Sequence, residues 1–186
     1  MNPIYNMRSN YSNKGLIDLV DFISNKKSKD LIMIEIGSYQ GQSMETFANT
    51  GKIKTIICID PWQQGYDIND KASDTDMVEV ERLFDERVSK IDNVQIIKHK
   101  GTLDTFIKSE EFEQIKNSID FVYIDACHTY QAVKHDIKIC KEIIKPNIAF
   151  AGHDFRDYWG GVKKAIKEEF NEPDKVFSDS SWVKFV

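Results

Sequence analysis

Two hydrophobic patterns alternate along this chain. Short continuous apolar runs predict buried strands, at residues 31–36, 53–60, 94–99, 119–125 and 147–154. Between and around them, apolar residues recur every three or four positions and predict helices, at residues 14–27, 44–49, 80–91, 103–107, 130–144 and 162–170. Two further strand-like pieces close the chain, at residues 174–179 and 181–186. Strands alternating with helices predict an α/β fold: a doubly wound, Rossmann-like, seven-stranded and mostly parallel sheet with helices on both faces.

The length and composition predict one globular domain. The 186 residues are 41% hydrophobic and 30% charged, which is enough chain for one real core and too little for a second. We divide the domain into an N-terminal arm and helix, residues 1–30, and a core, residues 31–186. Residues 1–13 are polar, and their pattern leaves a disordered tail, a lid or an oligomer arm open. A homo-oligomer is therefore one of the open alternatives.

Charge and cysteine usage exclude several classes of function. The 25 Lys and Arg residues against 30 Asp and Glu residues give a net charge of -5, without the basic excess that nucleic-acid binding needs. No apolar run approaches the length of a membrane span, so no membrane partner is expected. Cys58, Cys127 and Cys140 are odd in number and lack CxxC spacing, which argues against disulfides or structural zinc. We therefore expect a cytoplasmic protein with a small-molecule partner.

Residues that could bind a ligand or take part in catalysis follow the ends of all five predicted central strands. Ligands of open parallel sheets bind outside the carboxyl ends of the strands, so these residues predict one site. They are the glycine turn Gly37 to Gly41, then Asp60, Gly101 with Thr102, Asp125 with His128, and His153 with Asp154. A glycine turn between a strand and a helix favours a nucleotide-like cofactor.

The loop at residues 62–76 is polar, acidic and longer than most connections inside a compact domain. The pattern fits a lid or binding loop and fits a simple surface excursion equally well. His99 and His135 have no placement at a predicted strand end beside an acid, so we expect them to be structural or exposed.

Taken together, the strand-end motifs identify a family resemblance that covers almost the whole chain after the first helix. The sequence resembles the class I S-adenosylmethionine-dependent methyltransferases, and within them the metal-dependent sugar O-methyltransferases of macrolide biosynthesis. The matching segments occur in the family's order: EIGSYQGQS at 35–43, IDPW at 59–62, KGT at 100–102, IDACHTY at 124–130, GHD at 152–154 and GGVKKAI at 160–166. The terminal SWVKFV resembles the antiparallel last strand of that family.

The resemblance implies an S-adenosylmethionine site along the strand ends. Glu35, Gly37 and Gly41 would shape its methionine end, Asp60 would hold the ribose, and residues 62, 101 and 102 would surround the adenine. The full set implied for the cofactor is Glu35, Gly37, Ser38, Tyr39, Gly41, Ser43, Asp60, Trp62, Gly101, Thr102 and Asp125.

The same resemblance implies a divalent cation, magnesium or manganese, held by Asp125, His153 and Asp154. His153 departs from the family, which often has a glutamate there. Asp125 and His128 are the expected catalytic residues, with His128 as general base. A base and a cation each address the weak nucleophilicity of an alcohol at neutral pH.

Other interpretations of these residues remain open at this stage. Asp125 and Asp154 would also suit helix caps, with His128 a surface residue at a helix start, and Asp60 would suit a turn. A non-catalytic cofactor-binding module or partner subunit is the alternative from another class. A nicotinamide-dependent oxidoreductase is disfavoured because the glycine spacing is G-x-x-x-G rather than G-x-G-x-x-G.

Overall fold

The structure is a computed structural model that describes residues 10–27 and 30–186, with side chains from residue 13 onward. Most of the N-terminal arm, residues 1–9, lies outside the described residues. Among the described residues, no helix is long and apolar enough to cross a membrane.

The described chain forms seven strands and seven α-helices. The strands are β1 (Leu31–Ile36), β2 (Ile53–Asp60), β3 (Gln95–Lys100), β4 (Phe121–Ile124), β5 (Ala149–Gly152), β6 (Lys175–Val176) and β7 (Trp182–Phe185). The helices are α1 (Asn10–Ser24), α2 (Gln42–Ala48), α3 (Met77–Val88), α4 (Leu103–Phe106), α5 (Glu110–Ile115), α6 (Tyr130–Ile143) and α7 (Gly160–Phe170). Short 3-10 turns lie at Lys71–Asp74 and Asp157–Trp159.

All seven strands belong to one sheet in the order β3-β2-β1-β4-β5-β7-β6. Strands β1 to β5 pair in parallel, and β7 pairs antiparallel with both β5 and β6. This confirms the predicted fold class, including the antiparallel strand at the end of the chain. The strand order reverses between β1 and β4, where a ligand crevice is expected.

Helices cover both faces of the sheet. The core on one face is built by α1, α2 and α3, with Leu19, Phe47 and Phe84 fully buried. The other core lies under α4 to α7, where Phe106 and Ile137 are fully buried. Because β1 is covered on both sides, its apolar run is nearly continuous, as parallel central strands require.

Besides shifts of a few residues at other element ends, helices α1 and α5 depart from the sequence prediction. Helix α1 begins at Asn10, so residues 10–13 belong to the helix rather than to the arm. Helix α5 was not predicted, because only Phe112 of its six residues is buried and it shows no apolar stripe. Its start is fixed by Ser109, whose hydroxyl accepts a hydrogen bond from the Phe112 amide at 3.2 Å.

Gly37 marks the point where the ends of β1 and β4 come closest. Its φ is 90°, in the left-handed region that glycine tolerates. A Cβ atom at this position would lie 2.2 Å from the Asp125 carbonyl oxygen and 2.6 Å from the Ala126 Cα atom. The absence of a side chain therefore allows the two strand ends to carry one site.

The change Gly37→Ala tests this close approach, with Gly51→Ala as its matched control. Gly51 also has a positive φ, 66°, but a Cβ there meets nothing within 4 Å. We expect Gly51→Ala to lower the free energy of unfolding by about 1–2 kcal/mol through backbone strain alone. Gly37→Ala adds a backbone clash, so we expect it to cost about 1–3 kcal/mol more. Urea unfolding measures both, and equal losses would contradict the packing described here.

Candidate functional site

A cleft of about 260 Å³ opens at the carboxyl ends of the central strands, beside the reversal in strand order. It brings together most of the residues that the sequence singled out. Those lining it are Gly37, Ser38, Tyr39, Ser43, Asp60, Asp125, His128, His153 and Asp154. Gly101 and Thr102 line a smaller cavity of about 60 Å³. The two cavities are contiguous, since Gly37, Pro61, Tyr66 and Ala126 line both.

The glycine turn after β1 is held by two carboxylates. Buried Glu35 accepts a hydrogen bond from the Ser38 hydroxyl at 2.7 Å, so a side chain of the turn links back to the strand. Asp60 accepts one from the Tyr39 amide at 2.8 Å and another from the Trp62 amide at 2.7 Å. Asp60 therefore stabilises the turn, as its alternative interpretation expected, and it also lines the cleft. A carboxylate has about four lone-pair sites, so acceptor capacity remains for ligand hydroxyls.

Trp62, expected beside the adenine, lies instead in the hydrophobic core and does not line either cavity. Its φ of 42° turns the chain so that the ring packs 5.0 Å from the Phe84 ring and under the Lys98 ammonium. The indole Nε1 donates a hydrogen bond to the Tyr39 carbonyl at 2.8 Å, so Trp62 helps to fix the turn. Gly41, the residue before α2, likewise lies outside the cleft lining.

His128 lies at the centre of the cleft between carboxylates from three segments. Its Nδ1 lies 2.9 Å from an Asp67 oxygen, and its Nε2 lies 3.1 Å from Asp154 Oδ2. The Asp125 carboxylate is 3.9 Å from the same Nε2. The Trp159 ring stacks on the imidazole with 4.2 Å between centroids and 20° between planes.

These contacts set the charge of His128. Burial lowers the pKa of His128, but the hydrogen bonds with Asp154 and Asp67 and the Asp125 charge outweigh it and raise the pKa to about 10. In turn, burial raises the pKa of Asp154, and the bonds from His128 and His153 reverse this and hold it well below its usual range. With these side chains as its charged partners, His128 is therefore an imidazolium at neutral pH.

Three side chains form a group with the geometry of a metal site. One ligand atom each from Asp125, His128 and Asp154 lie within 4.8 Å of one another. His153, expected as a ligand, lies beside this group: its Nδ1 is 3.3 Å from Asp154 Oδ1 and its Nε2 is 3.9 Å from Asp179. The histidine next to the two aspartates is thus His128, which the sequence assigned to proton transfer.

The helix-cap interpretation of the two aspartates is wrong. The cap of α6 is Thr129, whose hydroxyl accepts from the Ala132 amide at 3.2 Å. Helix α7 follows Trp159, and no side-chain cap bond forms there. His128 is not an exposed surface residue, since only 11% of its side chain is exposed. The other two histidines follow the prediction, since His99 bonds to Thr105 and exposed His135 pairs with Asp104.

The loop at residues 62–76 is part of the site rather than a surface excursion. Tyr66, Asp67, Asp70 and Ser73 line the cleft, and Asp67 is buried. None of them was singled out from the sequence, because several acids follow one another in this loop without a pattern. The only usable signal was the length and acidity of the loop.

Two further lining residues come from the segment after β5. Arg156 pairs with Asp154 Oδ1 at 2.6 Å, and Trp159 stacks on His128. The motifs GHD and GGVKKAI flank this segment in the sequence.

The charge assigned to His128 predicts a pH-dependent stability in chelator-treated protein. A pKa of about 10 in the folded chain, against 6.5 ordinarily, gives a stabilisation that is complete below pH 6.5 and lost between pH 6.5 and 10. We compare His128→Gln with the unaltered protein by urea unfolding across this range. The difference between their unfolding free energies should shrink as the pH rises, whereas a constant difference would contradict the assigned charge.

Comparison with known proteins assigns the chain to a family. A family model described as a methyltransferase domain matches residues 34–155, which is more than half of the chain. An uncharacterised protein of Acanthamoeba polyphaga mimivirus is 25% identical over 130 residues, which make up 69% of this chain and 53% of that protein. The chain thus spans about half the length of this curated relative.

Solved structures share the fold at low sequence identity. CalS11, a calicheamicin methyltransferase, superposes with a TM-score of 0.62 at 12% identity, covering 91% of this chain and 76% of its own. The O-methyltransferase from Bacillus cereus, solved in complex with SAH, gives a TM-score of 0.57 at 16% identity, with 95% and 80% covered. The chain belongs to the methyltransferase-domain family, and its fold is that of the class I S-adenosylmethionine-dependent O-methyltransferases.

Proposed function

We propose that this protein is an S-adenosylmethionine-dependent O-methyltransferase that acts on a small hydroxylated molecule, a sugar or glycoconjugate precursor, with the help of a divalent metal. The single observation that carries the proposal is the position of His128. It lies beside Asp125 and Asp154, in a cleft that begins at the glycine turn of a methyltransferase fold.

The cofactor would supply the methyl group from its sulfonium and would lie along the strand ends. Five residues of the turn and Asp60 line the larger cavity, which we assign to the methionine and ribose; the five are Ser38, Tyr39, Gln40, Gln42 and Ser43. Gly101 and Thr102 line the contiguous smaller cavity, which we assign to the adenine. The two cavities share four lining residues, and we propose that one elongated ligand extends from one into the other.

The metal assignment is supported by the chemistry of the converging atoms. Carboxylate oxygens suit magnesium or manganese, so Asp125 and Asp154 would be the ligands and His128 would stay free to act as the base. With a divalent cation bound there, these carboxylates no longer raise the pKa of His128, and a nearby hydroxyl is easier to deprotonate.

His128 would then take the proton of the acceptor hydroxyl on its Nε2. The bound cofactor would supply an electrophilic methyl group to the acceptor oxygen, and its sulfur would leave as a neutral thioether. Methyl transfer of this kind depends on alignment, so the chain contributes chiefly by fixing both partners in line. The low exposure of the His128 side chain and its stacking on Trp159 restrict the position of the base.

The lining of the cleft supports a hydroxylated acceptor. Gln40, Gln42 and Gln63 offer amide groups, and Tyr66 and Trp159 offer ring surfaces, the combination that binds sugars by hydrogen bonds and ring contact. The structural neighbour CalS11 is a TDP-rhamnose 3'-O-methyltransferase. At 12% identity that likeness shows a shared fold, and the sugar assignment here rests on the lining residues.

The variants Asp154→Asn and Asp157→Asn test the proposed function as a pair. Calorimetry should show that both bind S-adenosylmethionine within about threefold of the unaltered protein, since neither residue belongs to the set assigned to the cofactor. Turnover of a panel of hydroxylated sugars with Mg²⁺ or Mn²⁺ should fall at least about 100-fold in Asp154→Asn, because a catalytic metal provides several kcal/mol of stabilisation.

Asp157 is the matched control, since it lies three residues away with 93% of its side chain exposed and pairs with Lys163. Its variant should keep normal turnover. If the unaltered protein does not bind S-adenosylmethionine, the proposal is wrong. Binding without turnover of any acceptor, in either metal, would favour the non-catalytic module.

A further inference from the structure

Asp67 makes an unusual double contact with His128. One oxygen, Oδ2, accepts a hydrogen bond from the backbone amide of His128 at 2.7 Å and lies 2.9 Å from its ring Nδ1. The side chain is almost fully buried and reaches His128 from the loop between β2 and α3, 61 residues earlier in the chain. Neither the sequence motifs nor the family resemblance assigns a role to Asp67.

The double contact fixes the imidazole in two ways. The bond from the backbone amide places the carboxylate oxygen relative to the chain, and the ring bond then determines the rotation of the side chain. With Nδ1 donating its proton to Asp67, the opposite nitrogen, Nε2, points toward Asp154 and Asp125. The stacked Trp159 ring blocks rotation on one face. An acceptor on one ring nitrogen sets the tautomer and direction of the other.

We infer that Asp67 is the positioning residue for His128, holding its ring so that Nε2 faces the methyl acceptor. This inference rests on the proposed function, in which His128 takes the acceptor proton. Asp67 itself does not reach the acceptor, because His128 lies between it and the two metal-binding aspartates.

The loop that carries Asp67 is itself held in place. The Asp67 amide donates to the Ser73 hydroxyl at 2.9 Å, and Asp67 Oδ1 accepts from the Asn69 amide at 2.9 Å. The same loop contributes Tyr66 and Asp70 to the cleft. The orientation of His128 therefore depends on the position of the loop that carries Asp67 and lines the cleft.

The variants Asp67→Ala and Asp67→Asn distinguish positioning of His128 by Asp67 from an effect of the negative charge of Asp67 alone. Alanine removes the acceptor, so kcat should fall about 100-fold or more, the usual contribution of general base catalysis. Asparagine keeps a neutral carbonyl oxygen where both His128 N–H groups require an acceptor, so kcat should stay within about tenfold of normal. The KM for S-adenosylmethionine should change little in either variant.

Crystal structures of the two variants give a readout that does not depend on activity. The His128 ring should turn away from Asp154 in Asp67→Ala and keep its orientation in Asp67→Asn. Asp74→Asn is the matched control, because it removes a charge from an exposed position in the same loop and should leave kcat unchanged. If Asp67→Ala does not fold, Asp67→Ser replaces it, since its hydroxyl still reaches the Asn69 amide but not the ring.

An unmoved ring in Asp67→Ala, or a normal kcat despite a turned ring, would overturn the inference. A loss of kcat in Asp67→Asn equal to that in Asp67→Ala would overturn it as well, because charge alone would then explain both. Failure of the proposed function is distinguishable, since it appears as an unaltered protein that neither binds S-adenosylmethionine nor methylates any acceptor.

Discussion

The balance of charge around His128 is the constraint on which the site depends. Carboxylates from the loop after β2, the end of β4 and the end of β5 converge on one imidazole. Buried like charges at such distances repel strongly unless a positive charge lies among them. In the ligand-free protein the imidazolium provides that charge. In the proposed function a divalent cation takes over this role at Asp125 and Asp154, and the imidazole becomes free to accept a proton.

The backbone around the cleft is arranged to hold these groups in place. Tyr39, Trp62 and Asp154 all have positive φ values, 47°, 42° and 61°, which side-chain-bearing residues adopt rarely. Each such residue costs on the order of 1–3 kcal/mol and persists only where other contacts enforce it. Here the Asp60 carboxylate binds two of the amides, and ion pairs with His128 and Arg156 hold the third residue. Tyr39 and Asp154 line the cleft, so two of these strained residues lie at the ligand cavity.

Much of the fold was predictable from the sequence because its causes are local. The apolar run of β1 and the periodic stripe of α6 each identify their element without tertiary information. The turn at Asn147, whose φ is 67°, also has a local cause, because asparagine tolerates the left-handed conformation better than most residues. The convergence of Asp125, His128 and Asp154 was also predictable in outline, because parallel strands end at one edge of the sheet.

The rest of the site depends on long-range contacts that leave no periodic signal. Asp67 reaches His128 across 61 residues from an irregular acidic loop. The choice between His128 and His153 as the neighbour of the aspartates depends on the direction of two side chains at adjacent strand ends. The position of Trp62 follows from one left-handed residue, which a sequence pattern does not specify for tryptophan.

A crystal structure of the protein with S-adenosylhomocysteine and Mn²⁺, with data collected at the manganese absorption edge, tests the central claim most directly. The account predicts one anomalous peak in contact with the Asp125 and Asp154 carboxylates. It also predicts the amino-acid end of the ligand over the turn at residues 38–43, with its adenine beside Gly101. An anomalous peak away from both aspartates, or the ligand bound outside the cleft, would contradict it.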